Sequence, residues 1–302
     1  MSRNRRLMVT GCGGFVAGSV VWQAGAEWEV HALSRGKPLT HRDGLLWHSF
    51  DLLDATRLRT AFHEAKPDAV IHAAAIADID YCESHQDVAE AVNVGVTREI
   101  AQLCRETGAK MVFLSTDTVF DGEKGNYREE DPPGPVNFYA ETKVRAEKTA
   151  AEATDSFAIA RLSLVMGLPL LGAGNSFLSR MMTSFREGRQ IGVPDNEIRS
   201  PIDVVTLGRA LLELAGNNFT GVIHLAGNDR LSRIAMVQRI AGRLGYPSEL
   251  VVAKSPGDIP GRARRPRDVS LNNSRARATL KTPMRSLDEG TELVLTAGRG
   301  SL

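Results

Sequence analysis

Residues 111–122, MVFLSTDTVFDG, and residues 135–148, PVNFYAETKVRAEK, are the stretch around which the chain is organised. The first half opens on Met111-Val112-Phe113-Leu114, an apolar run that reads as a buried strand. Ser115, Thr116 and Asp117 follow at its carboxyl end, the end that faces the ligand crevice in an open α/β sheet. The second half reads as a helix on which Tyr139 and Lys143, four residues apart, share one face. A phenol with a pKa of about 10 gives up its proton poorly near neutrality. A neighbouring ammonium favours the phenolate, so Lys143 is expected to lower the Tyr139 pKa and make it a usable acid or base. A hydroxyl from the strand end would hold a carbonyl oxygen beside it. Taken alone, Tyr-x-x-x-Lys reads as an ordinary surface pair, so the flanking sequence decides.

Leu7 to Thr10 is a short apolar strand followed at once by GCGGFVAG, residues 11–18. Strand, glycine-rich turn and helix cradle a pyrophosphate, because glycine lets backbone N–H groups approach and the helix amino end favours negative charge. The spacing T-G-x-x-G-x-x-(G/A) is met by Thr10, Gly11, Gly14 and Ala17, although a simple tight turn has the same composition. Trp28 to Leu33 alternates as a second strand and runs into Ser34-Arg35-Gly36-Lys37. An acidic residue just past this strand would bind a ribose 2′-hydroxyl; Arg35 favours a 2′-phosphate, hence NADP(H), with NAD(H) the alternative. Leu45 to Phe50 is a third strand, after which Asp51 is placed to accept from an adenine amino group or to serve as a turn residue. Asp54 caps a helix whose Leu58, Ala61, Phe62 and Ala65 form one apolar face, stopped by Pro67. Ala69 to Ala75 is a fourth strand ending in three small residues, suited to a flat ligand or to close helix packing, with His72 a packed histidine. A helix from about Gln86 to Thr107 carries Val88, Val92, Val96, Ile100 and Leu103 on one face and ends at Gly108.

Strand and helix thus alternate as right-handed βαβ units, with Phe157 to Leu162 a sixth strand. The fold class is α/β: a Rossmann-type doubly wound parallel sheet at 1–162, then a smaller α/β substrate lobe at 163–302, with the chain weaving between the two. In that lobe GLPLLGAG (167–174) reads as a loop, Ser176 to Arg186 as a helix, and Asp203 and Ser232 as caps of two more. Arg262, Arg264, Arg265 and Arg267 form a basic loop that reads either as a phosphate clamp or as a solvated charge run.

The 302 residues carry a net charge of +1, which gives no sign of a nucleic-acid or membrane-surface partner. Cys12, Cys82 and Cys104 are scattered, and the seven histidines do not cluster, so neither a disulfide framework nor a metal site is expected. MSRNRR at the amino terminus lacks an apolar signal segment, and no run approaches the about 18 apolar residues of a membrane span. These features predict a cytoplasmic protein.

Together the segments resemble the extended short-chain dehydrogenase/reductase family, and within it the dTDP-4-dehydrorhamnose reductase branch. STDTVFDG and PVNFYAETKVRAE carry the resemblance, with weaker support from ARLSLVMG, VPDNEIRSPIDVVTLGRAL, GVIHLAG and RPRDVSLN. It implies a catalytic set of Thr116, Tyr139 and Lys143 acting on a nucleotide-linked sugar. It further implies Gly11, Gly14, Phe15 and Val16 at the diphosphate, and Ser34 and Arg35 at the 2′-phosphate. Asp51 and Leu52 would meet adenine, Ala73, Ala74 and Ala75 would line the dinucleotide, and Asn93 would support the site. Tyr139 and Lys143 would also contact the cofactor, while Asp117 and Arg265 would meet substrate. Ala17 and Ala140 replace glycines of the pattern, and the RLSLVMG segment (161–167) lacks its usual aromatics. The same branch resembles the regulatory subunit of methionine adenosyltransferase, and sugar-nucleotide epimerases and dehydratases are more distant. A dehydratase glutamate would stand where the chain has Thr118. A homodimer is common in the family.

Overall fold

A computed structural model describes residues 4–172, 176–255 and 261–299, so residues 1–3 of the MSRNRR terminus and 173–174 of the GLPLLGAG loop fall outside it. Six consecutive strands, β1 (Arg5–Thr10), β2 (Trp28–Ser34), β3 (Leu45–Ser49), β4 (Ala69–His72), β5 (Lys110–Thr116) and β6 (Phe157–Leu162), lie parallel with β7 (Gly221–Leu225). Their spatial order, β3-β2-β1-β4-β5-β6-β7, reverses direction at β1, which is the switch point where such sheets take a ligand. The central strands bury both faces: every residue of β4 and β5 is buried, as near-continuous apolar runs predict for a parallel sheet.

One face is covered by α1 (Phe15–Gln23) and α8 (Val204–Gly216), with Val20, Val21, Leu207 and Leu211 packed on the sheet. The other is covered by α2 (Ala55–Ala65), α5 (Val96–Thr107) and α6 (Phe138–Ala153), through Leu58, Phe62, Ile100, Leu103 and Ala146. Asp54 caps α2 by accepting from the Arg57 N–H at 3.0 Å, and Leu58, Ala61, Phe62 and Ala65 are its buried face. Because β7 and α8 follow residue 162, the chain crosses a 162/163 boundary back into the sheet; that boundary does not separate two closed units. The remaining lobe has its own core of Met166, Leu178, Met181, Phe185, Val237 and Ile240, drawn largely from α7 (Phe177–Arg186) and α9 (Arg233–Arg243).

The long helix expected over 86–107 is interrupted. It consists of α4 (Gln86–Glu90), a π-turn at Ala91–Gly95, and α5. The extra residue of the π-turn shifts the register, so Val96, Ile100 and Leu103 are buried while Val88 is 41% exposed. The single apolar face expected from Val88 to Leu103 is thus corrected: Val88 is not buried with Val96, Ile100 and Leu103. A short helix, α3 (Ile79–Ser84), precedes this segment.

Candidate active site

The glycine-rich turn sits between β1 and α1 at the switch point. Gly11 has φ +74, and a Cβ on it would lie 2.9 Å from the Ala74 Cα. Gly14 is the residue that caps α1, and no side chain takes up the first N–H groups of that helix. Uncapped donors at a helix amino end, reached over glycines, fit a pyrophosphate. Phe15 packs its side chain into the lobe core and Val16 into the sheet core, so both would meet a diphosphate only through backbone N–H. Gly11→Ala is expected to abolish dinucleotide binding and to lower the melting temperature, because the β-carbon collides with backbone. Isothermal titration with NADPH beside a thermal melt checks both.

A cavity of about 720 Å³ opens along this edge, lined by Gly11, Gly14, Ser34, Arg35, Asp51, Leu52, Ala73, Ala74 and Ala75 among others. The same cavity is lined by Leu53, Ile76, Tyr81, Val88, Val92 and Val96, none of which the sequence assigns to a site. Their apolar spacing is indistinguishable from that of core residues, and only the π-turn shows that Val88 and Val92 face a groove. Leu53, Tyr81 and Val88 are among the large apolar side chains exposed on the protein, and the groove accounts for all three.

A buried polar network shapes the floor. Thr10 Oγ1 accepts from the Ala73 and Ala74 N–H groups at 3.2 and 3.1 Å and contacts His72 Nδ1 at 2.8 Å. His72 Nε2 meets the Thr97 hydroxyl at 3.0 Å. Burial, helped by Lys143, holds the His72 pKa down to about 3, so it is a packed neutral imidazole. Asn93, in the π-turn, accepts from the Ile76 N–H at 2.8 Å and donates to the Ile76 carbonyl at 3.1 Å and to Thr142 at 3.0 Å. It supports the groove without lining it.

Thr116 ends β5, and Tyr139 and Lys143 lie in the first two turns of α6, which Asn137 caps through the Ala140 N–H at 2.9 Å. All three are buried. Thr116 Oγ1 contacts the Thr118 hydroxyl at 3.0 Å. The phenol is pushed up by burial and by the Asp117 carboxylate, with Thr116 opposing. Lys143 stands over the Phe113 ring at 4.1 Å, and its own pKa falls to about 7 through burial, with Glu147 opposing. The expected lowering of the Tyr139 pKa by Lys143 is therefore replaced by a rise: desolvation and Asp117 dominate the phenol's surroundings.

Asp117 is buried beside Thr116, which donates to it at 3.3 Å; Ser163 donates at 3.4 Å, and Arg199 Nε lies 3.8 Å away. Burial raises its pKa from 3.8 to about 6, with Arg199 opposing. Since the folded value lies above the unfolded one, the folded chain binds the extra proton between about pH 4 and 6. Asp117's contribution to stability is thus present below the unfolded pKa and lost as pH rises through about 6. Asp117→Asn is expected to be more stable than the parent at about pH 7.5 and to lose that advantage near pH 4. Urea denaturation at the two pH values measures this; equal midpoint gains at both would contradict it. Arg265, expected at substrate, is paired with Asp80 on α3 through two bonds of 2.9 Å. No group of three or more potential metal ligands occurs among the described residues, and no described helix is long and apolar enough to cross a membrane.

Comparison with known proteins bears on the fold and the family. Methionine adenosyltransferase 2 subunit beta of Bos taurus is 29% identical over 278 residues, 90% of this chain and 81% of that protein. dTDP-4-dehydrorhamnose reductase of Mycobacterium tuberculosis is 28% identical over 305 residues, 99% of this chain and 95% of that protein. Among solved structures, a hypothetical dTDP-4-dehydrorhamnose reductase of Sulfolobus tokodaii superposes with a TM-score of 0.81 at 32% identity, covering 94% of this chain and 98% of the other. The fold of a Bacillus anthracis dTDP-4-dehydrorhamnose reductase, solved with NADP, matches with a TM-score of 0.87 at 24% identity, over 97% and 99% of the two chains. A family model described as RmlD substrate binding domain matches residues 5–299, and the chain belongs to that family, a dTDP-4-dehydrorhamnose reductase-like branch of the extended short-chain dehydrogenases/reductases.

Proposed function

We propose that the chain is an NADP(H)-dependent oxidoreductase that reduces a carbonyl of a nucleotide-linked sugar. The observation that carries this reading is the convergence of Thr116, Tyr139 and Lys143 at the carboxyl end of β5, beside a groove with an uncapped helix amino end. The groove would hold the dinucleotide, with Arg35 at a 2′-phosphate, and NADPH would supply the hydride. Tyr139, kept protonated by burial and Asp117, is in the right state to give its proton to the ketone oxygen. Thr116 holds that oxygen, and Lys143 would bind ribose hydroxyls. The test is NADPH consumption with a panel of nucleotide-linked 4-keto sugars and simple ketones, together with NADPH and NADH titrations. Turnover of one nucleotide-linked ketone and none of the simple ones supports the reading.

A second reading is favoured by the likeness to methionine adenosyltransferase 2 subunit beta. On it the same groove binds NADP(H) while the chain serves another enzyme, and NADPH binds without turnover of any ketone in the panel.

A further inference from the structure

Five buried side chains form one hydrogen-bonded chain between the wall of the groove and the helix that carries Tyr139. It starts at Thr10 Oγ1, which accepts from the Ala73 and Ala74 N–H groups and contacts His72 Nδ1 at 2.8 Å. His72 Nε2 meets the Thr97 hydroxyl at 3.0 Å, and that hydroxyl donates to the Asn93 carbonyl at 2.7 Å. The Asn93 amide donates to Thr142 Oγ1 at 3.0 Å, and the Thr142 hydroxyl donates to the Tyr139 carbonyl at 2.7 Å. Thr10, His72, Asn93, Thr97 and Thr142 are each no more than 1% exposed.

The bonds admit one direction for each proton. A carbonyl can only accept, so the single Thr97 hydroxyl proton goes to Asn93 and the Thr97 oxygen accepts from His72. His72 therefore carries its proton on Nε2. Burial keeps the ring neutral, which leaves Nδ1 as an acceptor. Thr10 makes that bond with its hydroxyl proton, because its two lone pairs are taken by Ala73 and Ala74. The two ring nitrogens thus do different work. Nδ1 fixes the loop after β4 through Thr10, and Nε2 fixes the π-turn through Thr97.

Both attachments reach the site. Ala73, Ala74 and Ile76 line the groove, and Ile76 exchanges two bonds with the Asn93 side chain. Asn93 is where the groove wall and α6 are joined. The His72 ring also lies 5.8 Å from the Phe113 ring, over which Lys143 stands. A contiguous, fully satisfied buried network is stiff, because shifting one member leaves a polar group unpaired.

We propose that His72 is the positioning residue that joins the dinucleotide wall to Tyr139, its Nδ1 bond setting dinucleotide affinity and its Nε2 bond setting the placement of Tyr139. This rests on the dinucleotide groove proposed above, and it applies whether the chain reduces a ketone or serves another enzyme.

The test uses the shapes of two amides. Asparagine puts a carbonyl oxygen near the Nδ1 position and falls short of Thr97; glutamine puts an amide nitrogen near the Nε2 position and leaves Thr10 without its acceptor. His72→Asn is expected to bind NADPH within about twofold of the parent and to lower kcat about tenfold or more. His72→Gln is expected to do the reverse, weakening NADPH about tenfold with kcat at saturating NADPH within about twofold. Thr97→Val repeats the asparagine pattern from the other side of the bond, and Thr97→Ser restores the parent. Amide hydrogen exchange of residues 138–143 gives the same readout without turnover. Saturating NADPH protects that segment in the parent, His72→Gln and Thr97→Ser, and fails to protect it in His72→Asn and Thr97→Val. If the His72 variants do not fold, the Thr97 pair decides. The proposal is overturned if the asparagine and glutamine variants lose affinity and kcat in step, as loss of structure would, or if Thr97→Val matches the parent. Either result leaves the reductase reading standing. The exchange pattern in a chain that binds NADPH and reduces no ketone supports the proposal while removing that reading. A parent that does not bind NADPH overturns both.

Discussion

Tyr139→Phe is expected to lower the rate of ketone reduction by about 10²- to 10⁴-fold, the range typical of removing a positioned proton donor. NADPH affinity is expected to stay within about twofold, because a mutation confined to proton transfer acts on kcat rather than on cofactor binding. The phenol is buried, with Cys82 and Ala89 packed beside it, so phenylalanine keeps its packing and removes only the hydroxyl. The size of the effect follows from the protonation state. Burial and Asp117 hold the phenol above its ordinary pKa, so at neutral pH it is a donor. Reduction needs a donor, whereas oxidation of the product alcohol needs the phenolate. The chain is therefore expected to run faster toward alcohol at pH 7, with the oxidative rate rising as pH increases. Stopped-flow absorbance at 340 nm with parent and variant measures both directions. A variant retaining more than about a tenth of the parental rate would show that some other group delivers the proton.

Local structure was legible where its chemistry is written in local residues. Gly11 announces a tight turn after β1 because only glycine tolerates the φ of +74 and the Ala74 backbone at 2.9 Å. Asp54, Asp203 and Ser232 announce helix starts because their side chains cap within three residues. The order of the central strands follows from βαβ alternation. What was not legible depends on partners distant in the chain. Nothing near Arg265 says that Asp80, 185 positions away, will take one edge of it. Nothing near Asp117 says that Arg199 and Ser163 will enclose it, and so the rise of both its pKa and that of Tyr139 was hidden. The π-turn at Ala91–Gly95 was hidden for another reason: valines at helical spacing look the same whether they face a core or a groove. The return of Gly221–Leu225 to the main sheet is a matter of topology, which a strand signal alone does not carry.

The helix that carries Tyr139 and Lys143 is tied to the sheet by a buried ion pair, and breaking it is expected to give the largest loss of stability. Glu147 lies one turn beyond Lys143 on α6. Arg161 on β6 donates to it through Nε at 3.0 Å and Nη2 at 2.8 Å, and Ser115 on β5 donates as well. The two charged side chains are only 5% and 8% exposed, and the Arg161 guanidinium also lies over the Phe120 ring at 5.1 Å. Desolvation of both ions is already offset by this geometry, so removing one leaves the other charged, buried and unpaired. Glu147→Ala is therefore expected to cost about 3–5 kcal/mol in urea denaturation. A double replacement, Glu147→Leu with Arg161→Met, is expected to recover most of that, since apolar volume needs no partner. A single-variant loss below about 1 kcal/mol would mean that water reaches the pair. The carboxylate also acts on Lys143, whose pKa it raises against the larger effect of burial. Without it the ammonium loses the charge that opposes its burial and becomes harder to keep charged. If the charged form of Lys143 is the working one, the alkaline limb of the Glu147→Ala pH–rate profile moves below the parental limb near pH 7. The double variant, stable but lacking the carboxylate, separates the two effects: it keeps the melting temperature and loses the limb position. A parental pH profile in that double variant would confine Glu147 to holding the helix.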